Sequence, residues 1–385
     1  MRWIAPLLAL VALGCTPGKR ALKCHERPSA DVETPDNLEP FKLLSVDSSE
    51  SQVANGHILL NQFDKKTESY SAVIDGCGAH VWWRERQTPQ TKITRSRMSL
   101  DGRSVLYSEY DRARELDTGE IRRVNVKTGA ETVTRAKEQH HDFIERPDGK
   151  LVWLSWQYTS NLWFDNVDAD IASDAIRMGD EGSDGDSEML FSILDDSGVD
   201  IFWACDHMNA STFVPQFAEW SHTNSLIYDP DQDAYFALTR YWDAVLRIEG
   251  DGTLSWILGG RNNEFTLIGD TVLPQHGHMS EFWPGGMLVF DNRNHNDGKE
   301  LPSRVVEYAI DEEARTVEEV WSYDDPNGVF WSYLGDARRL PGGNVLIAWS
   351  ASGTISEVNR KGEVVWEAQT EHDLGRLEFV RDWEF

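Results

Sequence analysis

Short apolar segments alternate with polar turns along almost the whole chain. In the stretch SLIYDPDQDAYFALTR (225–240), for example, two apolar runs flank a turn made of Asp, Pro and Gln. Short apolar runs that are bounded by such turns predict β-strands joined as hairpins. No part of the sequence has the sustained 3.6-residue apolar period of a long amphipathic helix, and the one uninterrupted apolar run lies at the N-terminus. The pattern therefore predicts an all-β protein.

Two turn signatures alternate within this pattern, and each occurs six times. The first is a turn with Gly, or an Asp-rich equivalent, followed by an apolar strand, at 54–62, 99–107, 146–154, 229–238, 283–291 and 340–349. The second is a polar turn between two strands, often ending in Trp, at 73–83, 124–134, 193–203, 247–256, 308–321 and 357–366. One pair of signatures makes two hairpins, and therefore a four-stranded unit of roughly 50 to 60 residues.

Radial repetition of four-stranded units is the way in which a β-propeller protects the edges of its sheets. Six units therefore predict a six-bladed β-propeller with four-stranded blades, as a single domain at 41–385. A two-sheet sandwich is the structural alternative, but it would not require this alternation six times. We expect the ring to close through 41–48 or through the C-terminal segment GRLEFVRDWEF (375–385).

The N-terminus has the order of a bacterial secretion signal. Residues 1–15 (MRWIAPLLALVALGC) contain a basic start, an apolar run and then Gly14-Cys15. This order predicts a lipoprotein-type signal that ends at a lipid-modified Cys15, and an ordinary signal peptide with an incidental cysteine is the alternative. The polar, Pro-containing residues 16–40 are expected to be a flexible tether. We thus expect a protein of the cell envelope, membrane-anchored or periplasmic, that touches the membrane only through the lipid.

Charge and cysteine usage narrow the possible partners. The net charge of −28 would repel phosphate backbones, so we expect no nucleic-acid partner. Beyond Cys15, the chain has Cys24, Cys77 and Cys205 without a CxxC or Cys/His ligand spacing. We therefore expect no metal and no cofactor, whereas one disulfide is permitted by the compartment.

Histidines lie just before the first-signature turns of three consecutive repeats. They are His140 and His141, then His222, then His276 and His278. His141 lies six residues before the proline of its turn, whereas His222 and His276 lie eight residues before theirs. In a strand, even offsets share a face, so His141, His222 and His276 are expected to converge while His140 points away.

A basic residue joins this group. The predicted hairpin of 222–228 and 233–240 brings His222, Asn224 and Arg240 to the same end of a sheet. A three-histidine zinc site is one reading of the cluster. Arg240 and Arg293 would repel a divalent cation, however, so cations and neutral imidazoles together favour a pocket for an anion.

These residues lie in ordered motifs that resemble those of a known family. The segments HTNSLIYDPDQDAYFALTR, SWILGG, QHGHMSEFWPGGMLVFDNRN and LGDARRLPGGNVLIAWSASGTISEVNRKGEVVWE are similar to the bacterial arylsulfate sulfotransferases and their arylsulfotransferase-like relatives. The resemblance runs from about residue 138 to 369. It implies a six-bladed propeller that moves a sulfuryl group from a phenolic sulfate ester to another phenol, by a ping-pong route without a nucleotide donor.

The resemblance also implies roles for single residues. His276 corresponds to the histidine that becomes transiently sulfurylated, and His222 and Arg240 to the pair that binds the sulfate. Asn224 lies alongside, and either His140 or His141 corresponds to a further pocket histidine. We expect His141 to act with the catalytic group, and His140, Asn224, Asn292 and Arg293 to help bind the substrate.

Three functional hypotheses follow. The first is a sulfotransferase acting on small aryl sulfates and phenols. The second is a catalytically silent envelope propeller that binds anionic or aromatic ligands, and the third is a metal-dependent hydrolase or lyase. Membership of a broad family does not by itself prove one activity.

Overall fold

The computed structural model describes residues 24, 32–64, 68–88, 91–111, 119–164, 167–205, 207–208, 217–295 and 301–383. The predicted signal segment 1–15, with Cys15, lies outside these ranges. In the part of the chain that is described, no helix is both long enough and apolar enough to span a bilayer. The predicted domain limits of 1–15, 16–40 and 41–385 stay predictions.

Six β-sheets make up the fold, with strands numbered in chain order. Blade 1 contains β2 (His57–Phe63), β3 (Ser69–Asp75) and β4 (His80–Glu85), with β27 (Asp373–Val380) paired to β2. Blade 2 contains β5 (Thr91–Met98), β6 (Ser104–Asp111), β7 (Glu120–Asn125) and β8 (Glu131–Arg135). Blade 3 contains β9 (Gln139–Glu145), β10 (Lys150–Phe164), β11 (Val167–Asp180) and β12 (Glu188–Ser192), with β13 (Ala218–Glu219) added beside β11.

The other three blades follow the same order. Blade 4 contains β14 (Thr223–Asp229), β15 (Ala234–Thr239), β16 (Ala244–Glu249) and β17 (Leu254–Gly259). Blade 5 contains β19 (Ser280–Trp283), β20 (Gly286–Asp291), β21 (Arg304–Asp311) and β22 (Thr316–Asp324), with β18 (Thr266–Ile268) at its outer edge. Blade 6 contains β23 (Asp336–Arg339), β24 (Val345–Trp349), β25 (Thr354–Val358) and β26 (Val364–Gln369), with β1 (Lys42–Val46) at its outer edge.

The innermost strands of the six blades form a closed ring. In sequence around the axis they are β27, β5, β9, β14, β19 and β23, each contacting the next, and β23 contacts β27 again. The prediction of an all-β, six-bladed propeller is therefore confirmed. The ring closes at both ends of the chain, because β27 pairs with β2 in blade 1 while β1 pairs with β26 in blade 6. The two closing segments that the sequence offered as alternatives are both used.

The middle strands are continuously apolar because both of their faces are buried between blades. In β24, Val345 and Ile347 pack toward blade 5, whereas Leu346 and Ala348 pack toward blade 1. Alternate side chains of a strand point to opposite faces of the sheet, so a strand between two neighbours needs apolar residues at every position. Among the described residues, one buried apolar cluster fills each of the six interfaces between neighbouring blades.

One repeat signature was interpreted wrongly. The segment ILDDSGVDIFW (193–203) was expected to join two strands, but it begins with the short helix α1 (Ile193–Asp196). Ser192 caps this helix through its hydroxyl, which accepts a hydrogen bond from the Asp195 amide. The hairpin of blade 3 uses the preceding acidic turn at 181–187 instead, so β12 ends before the segment begins.

Part of the expected tether is fixed to blade 1. Cys24 forms a disulfide with Cys77, which lies in the turn between β3 and β4. Leu38 is fully buried, and the Trp83 indole N–H donates to the Glu33 carbonyl. A disulfide is typical of proteins that fold in an oxidising compartment.

A buried ionic group joins the innermost strands of four blades. Asp142 of β9 contacts Arg95 and Arg97 of β5 and Arg376 of β27, and it accepts a hydrogen bond from the Leu226 amide of β14. We call these four charged residues the Asp142 network. Burial raises the pKa of Asp142, but the charges of Arg376, Arg97 and Arg95 outweigh that effect. The pKa therefore lies well below its usual value, and the carboxylate stays ionised.

Candidate active site

The hairpin of blade 4 brings His222 and Arg240 together. Thr223 pairs with Thr239, and beyond this pair the Arg240 amide donates to the His222 carbonyl at 3.1 Å. The predicted placement of these two residues at one end of the sheet is therefore confirmed. Both side chains are almost completely buried. The Arg240 guanidinium donates to the Ser332 carbonyl at 2.9 Å, which holds its long side chain in place.

The three histidines that were expected to converge share a left-handed backbone. The φ angles of His141, His222 and His276 are 49°, 49° and 52°. His222 precedes β14 and His276 lies four residues before β19, so strand alternation does not orient them. A non-glycine residue in this region costs on the order of 1–3 kcal/mol and is typical of functional sites. The left-handed backbone at each residue, which in β9 interrupts the strand register, therefore aims the imidazole, where we had expected parity along a strand to do so.

Ring contacts connect His141, His222, Tyr241 and His276 in that order. The ring centroids of His141 and His222 are 5.0 Å apart, those of His222 and Tyr241 4.7 Å, and those of Tyr241 and His276 5.4 Å. The Arg240 guanidinium lies over the Tyr241 ring, 5.3 Å from its centroid. The group of His141, His222, Arg240, Tyr241 and His276 is called the histidine site below.

Glu219 orients His222. The Glu219 carboxylate is fully buried in β13, and its Oε1 lies 2.8 Å from Nδ1 of His222. A carboxylate on one ring nitrogen fixes the orientation of an imidazole and stabilises its protonated form. No sequence pattern pointed to Glu219, because β13 joins the sheet through parallel pairing with β11, which belongs to another hairpin.

His276 is fully buried, and its backbone amide donates to Oδ1 of Asp243. Burial lowers the pKa of His276 strongly, and the positive charges of Arg240 and His295 lower it further. The pKa of His141 is also far below its usual value because of burial, with His222 and His140 adding to the effect. Both imidazoles are therefore neutral at ordinary pH.

Beside His276 lies a second set of side chains that the sequence did not predict. Cys205 carries a free thiol whose Sγ is 3.5 Å from Nε2 of His276. The ring of His276 is 4.7 Å from that of His207 and 4.1 Å from that of His295. We call Cys205, His207, His276 and His295 the Cys205 cluster, and one donor atom from each lies within 4.8 Å of the others.

Asp243 supports the Cys205 cluster from behind. Its Oδ2 is 2.8 Å from Nδ1 of His295. Hydrogen bonds to Asp243 and Cys205 raise the pKa of His295 to about 10. Two weak signals in the sequence were overlooked: the Cys205-x-His207 pair, which is closer than the usual zinc-ligand spacings, and His295 at the end of FDNRNH.

His140 lies behind the histidine site. Its ring is fully buried and stacks on Trp156 with 4.0 Å between centroids. Its Nε2 is 3.2 Å from Oδ1 of Asp174, and its Nδ1 is 2.8 Å from Nδ1 of His141. Asp174 also binds the Ser221 hydroxyl and the Thr223 amide, which fixes the start of β14. His141, not His140, is thus the member of this pair that faces His222.

Three residues expected to bind substrate make other contacts. Asn224 donates to the Gly277 carbonyl at 3.2 Å, next to His276. Asn292 donates to the carbonyls of Trp331 and Leu334, and Arg293 contacts Asp324 and the Pro302 carbonyl. The structure therefore does not bring the Arg293 guanidinium to the histidine site, because acidic partners outside it hold the side chain.

Sequence comparison decides the family. The sequence profile of the arylsulfotransferase (ASST) family matches residues 43–381, which is nearly all of the propeller. The chain belongs to the arylsulfotransferase family.

The arylsulfotransferase family includes a characterised relative that this chain resembles in part. It is 29% identical over 197 residues to the arylsulfate sulfotransferase AssT of Escherichia coli O6:H1 (strain CFT073). The match covers 40% of this chain and 33% of that protein, so this chain matches about a third of the relative's length.

Solved structures support the fold of this family member. TolB from Acinetobacter baumannii aligns with a TM-score of 0.51 and 13% identity, over 86% of this chain and 67% of that one. A protein of unknown function from Bacteroides caccae aligns with a TM-score of 0.50 and 14% identity, over 85% of this chain and all of that one. At these identities the likeness concerns the fold alone.

The arrangement in this arylsulfotransferase family member suits an anion. One guanidinium and several imidazole N–H groups converge in a water-poor interior, where charge-assisted hydrogen bonds are strong. Arg376 of the Asp142 network adds to the positive potential, because it lowers the pKa of both His141 and His278. The site is thus electropositive inside a protein whose net charge is −28.

Proposed function

We propose that this protein transfers a sulfuryl group from a phenolic sulfate ester to a second phenol, through a sulfohistidine intermediate at His276. The observation that carries the proposal is the convergence of His222, Arg240 and His276 in a chain of the arylsulfotransferase family. No metal or nucleotide takes part in the proposed reaction.

The first half-reaction breaks the ester. A lone pair of neutral His276 attacks sulfur, an N–S bond forms, and the S–O bond to the aryl group breaks. The bonding electron pair goes to the phenolate oxygen, which takes a proton from His222. We assign this acid role to His222 over His141, because the Glu219 carboxylate lies 2.8 Å from Nδ1 of His222 and orients the ring, whereas burial lowers the pKa of His141.

The second half-reaction reverses the first. An acceptor phenol gives its proton to His222 and attacks the sulfur of the sulfohistidine. The N–S bond breaks, its electron pair returns to His276, and a new aryl sulfate leaves. Arg240 and His141 hold the sulfuryl oxygens in both steps, and they stabilise the charge that spreads over these oxygens in the transition state.

Intact-mass spectrometry of the protein mixed with an aryl sulfate tests the proposal directly. We expect a gain of one SO3 group that maps to His276, its loss on addition of a phenol, and no gain for His276→Ala. His372→Ala is a matched control, because His372 lies between β26 and β27, where its Nε2 is 3.6 Å from Oε2 of Glu68. Transfer by a correctly folded His276→Ala variant would contradict the mechanism.

The second candidate, a silent binding propeller, predicts a different result. An aryl sulfate would then bind, as measured by calorimetry, without release of the phenol and without any mass gain. The charge of Arg240 and the imidazoles supports binding in either case, so turnover is the distinguishing measurement.

We also propose that the protein acts in the cell envelope. The secretion-type sequence of residues 1–15 and the Cys24–Cys77 disulfide support this location. Cell fractionation should find the protein with the membranes if Cys15 carries lipid, and Cys15→Ser should then release it. Recovery of the wild-type protein in the cytoplasm would contradict the proposal.

A further inference from the structure

We infer that the Cys205 cluster is a binding site for a zinc ion, in which His276 is one of the ligands. This goes beyond sulfuryl transfer, because the site needs neither a sulfate nor a phenol. Its four members are one thiol and three imidazoles, which are the donor types that zinc prefers in proteins.

The spacing of the donors fits tetrahedral zinc. With metal–nitrogen and metal–sulfur bonds of about 2.0 and 2.3 Å, donors in a tetrahedron lie about 3.3 to 3.5 Å apart. Cys205 Sγ and His276 Nε2 already lie 3.5 Å apart. All four donors lie within 4.8 Å of one another, so closure around an ion needs shifts of about 1 Å.

The outer contacts of the cluster match those of metal-bound histidines. Such a histidine commonly donates a hydrogen bond from its second ring N–H to a carboxylate, which fixes the tautomer. His295 has this arrangement, since its Nδ1 is 2.8 Å from Oδ2 of Asp243, and its hydrogen bond to Cys205 would give way to bonds from both residues to the ion, with release of a proton. The same carboxylate accepts the backbone N–H of His276, so one residue positions two ligands.

The nearby arginines do not exclude a divalent cation. The Arg293 guanidinium is held by Asp324 and does not reach the cluster. A cysteine ligand binds as thiolate. Together with Asp243 it supplies two negative charges against the two positive charges of zinc. The charge of Arg240 repels a cation in the cluster, but the buried Glu219 carboxylate partly compensates the charge of Arg240.

Zinc at this site would compete with the proposed transfer, a consequence that rests on the proposed function. An imidazole that donates its lone pair to a divalent cation is a poor nucleophile. Bound zinc would therefore hold His276 in an inactive form, and the enzyme would be active only in the metal-free state.

Binding is measured on the tag-free, full-length protein after treatment with a chelator. Titration with Zn²⁺ against a chromophoric chelator should give one ion per chain, and Co²⁺ should give a thiolate-to-metal charge-transfer band. We expect Cys205→Ser to abolish the band and stoichiometric binding, and Asp243→Asn to weaken zinc binding about 10- to 100-fold.

Two control variants keep the result specific. Cys15→Ser replaces the other cysteine outside the disulfide, and His372→Ala removes a histidine outside the cluster, so both variants should bind zinc as the wild type does. Circular dichroism checks that Cys205→Ser is folded. Zinc binding that survives Cys205→Ser, or a wild type that binds no zinc, would overturn the inference.

An activity assay separates this inference from the proposed function. Zinc should inhibit transfer by the wild type, a chelator should restore it, and Cys205→Ser should lose most of the sensitivity. Zinc binding without any transfer would leave the site standing and refute the function, whereas transfer without zinc binding would do the reverse. Stimulation by zinc would overturn the inhibitory role.

Discussion

His141 and Asp142 are adjacent in the chain, yet they belong to two buried polar regions of opposite design. Asp142 meets three guanidinium groups and two backbone amides, so its charge is matched by fixed partners from neighbouring blades. The His141 ring instead contacts two other imidazoles, those of His140 and His222. The first region joins the ring of strands, whereas the second brings together groups whose protonation can change.

The two regions are also coupled electrostatically. The arginines of the Asp142 network outnumber its carboxylate, and Arg376 acts on the histidines as well as on Asp142. Burial lowers the pKa of His278 to about 3, and Arg376 adds to this effect. The Asp142 network thus supplies a positive potential to the histidine site. This potential favours binding of an anion and disfavours protonation of the buried histidines.

The largest expected effect is on chemistry, from Glu219→Gln. This change keeps the shape of the side chain but replaces the carboxylate that orients Nδ1 of His222 by an amide. We expect kcat to fall about 10²- to 10⁴-fold, the range for loss of general acid–base catalysis. The measurement is steady-state transfer between two phenols. Glu219→Asp is the matched control and should recover part of the rate.

Asp142→Asn should act on stability instead. Removal of one partner from a buried ionic group leaves uncompensated charge, here on Arg95, Arg97 and Arg376, and costs about 3–5 kcal/mol. Denaturant unfolding measures this loss. The comparison of the two regions would fail if Asp142→Asn were as stable as the wild type. Arg103, an exposed residue, offers Arg103→Gln as a control with little effect on unfolding.

The smallest expected effect comes from Tyr241→Phe. The ring keeps its contacts with His222 and His276, while the hydroxyl that interacts with Arg240 is lost. A single hydrogen bond contributes about 0.5–1.5 kcal/mol, so kcat/KM should fall about tenfold or less. A fall of more than 10³-fold would instead assign the hydroxyl a direct part in proton transfer.

The sequence was sufficient for the fold because the repeat is local. Each blade is built from hairpins whose turns and apolar runs are close in the chain, and blade 4 shows this in the pairing of Thr223 with Thr239. The same locality predicted that His222 and Arg240 would meet. It failed at 193–203, where a polar turn signature marks a capped helix and not a hairpin.

The rest of the site was not predictable from such patterns. His276 and His295 flank the hairpin of β19 and β20, but Cys205 lies 71 residues before His276, in the segment that follows blade 3. Glu219 contacts His222 from β13, a two-residue parallel strand that is too short to show an alternation of apolar and polar residues. Arg293 lies beside the predicted site in the sequence, but whether its charge faces the site depends on Asp324, which belongs to a later strand.

The double closure of the ring has a consequence for the order of events during synthesis. The innermost strand of blade 1, β27, is made after all the other strands, and it carries Arg376. An emerging chain therefore exposes one edge of its first sheet and leaves Asp142 without one of its cations until residue 376 has been added. Assembly of the ring is thus deferred until β27 has been synthesised, so the propeller cannot close one blade at a time.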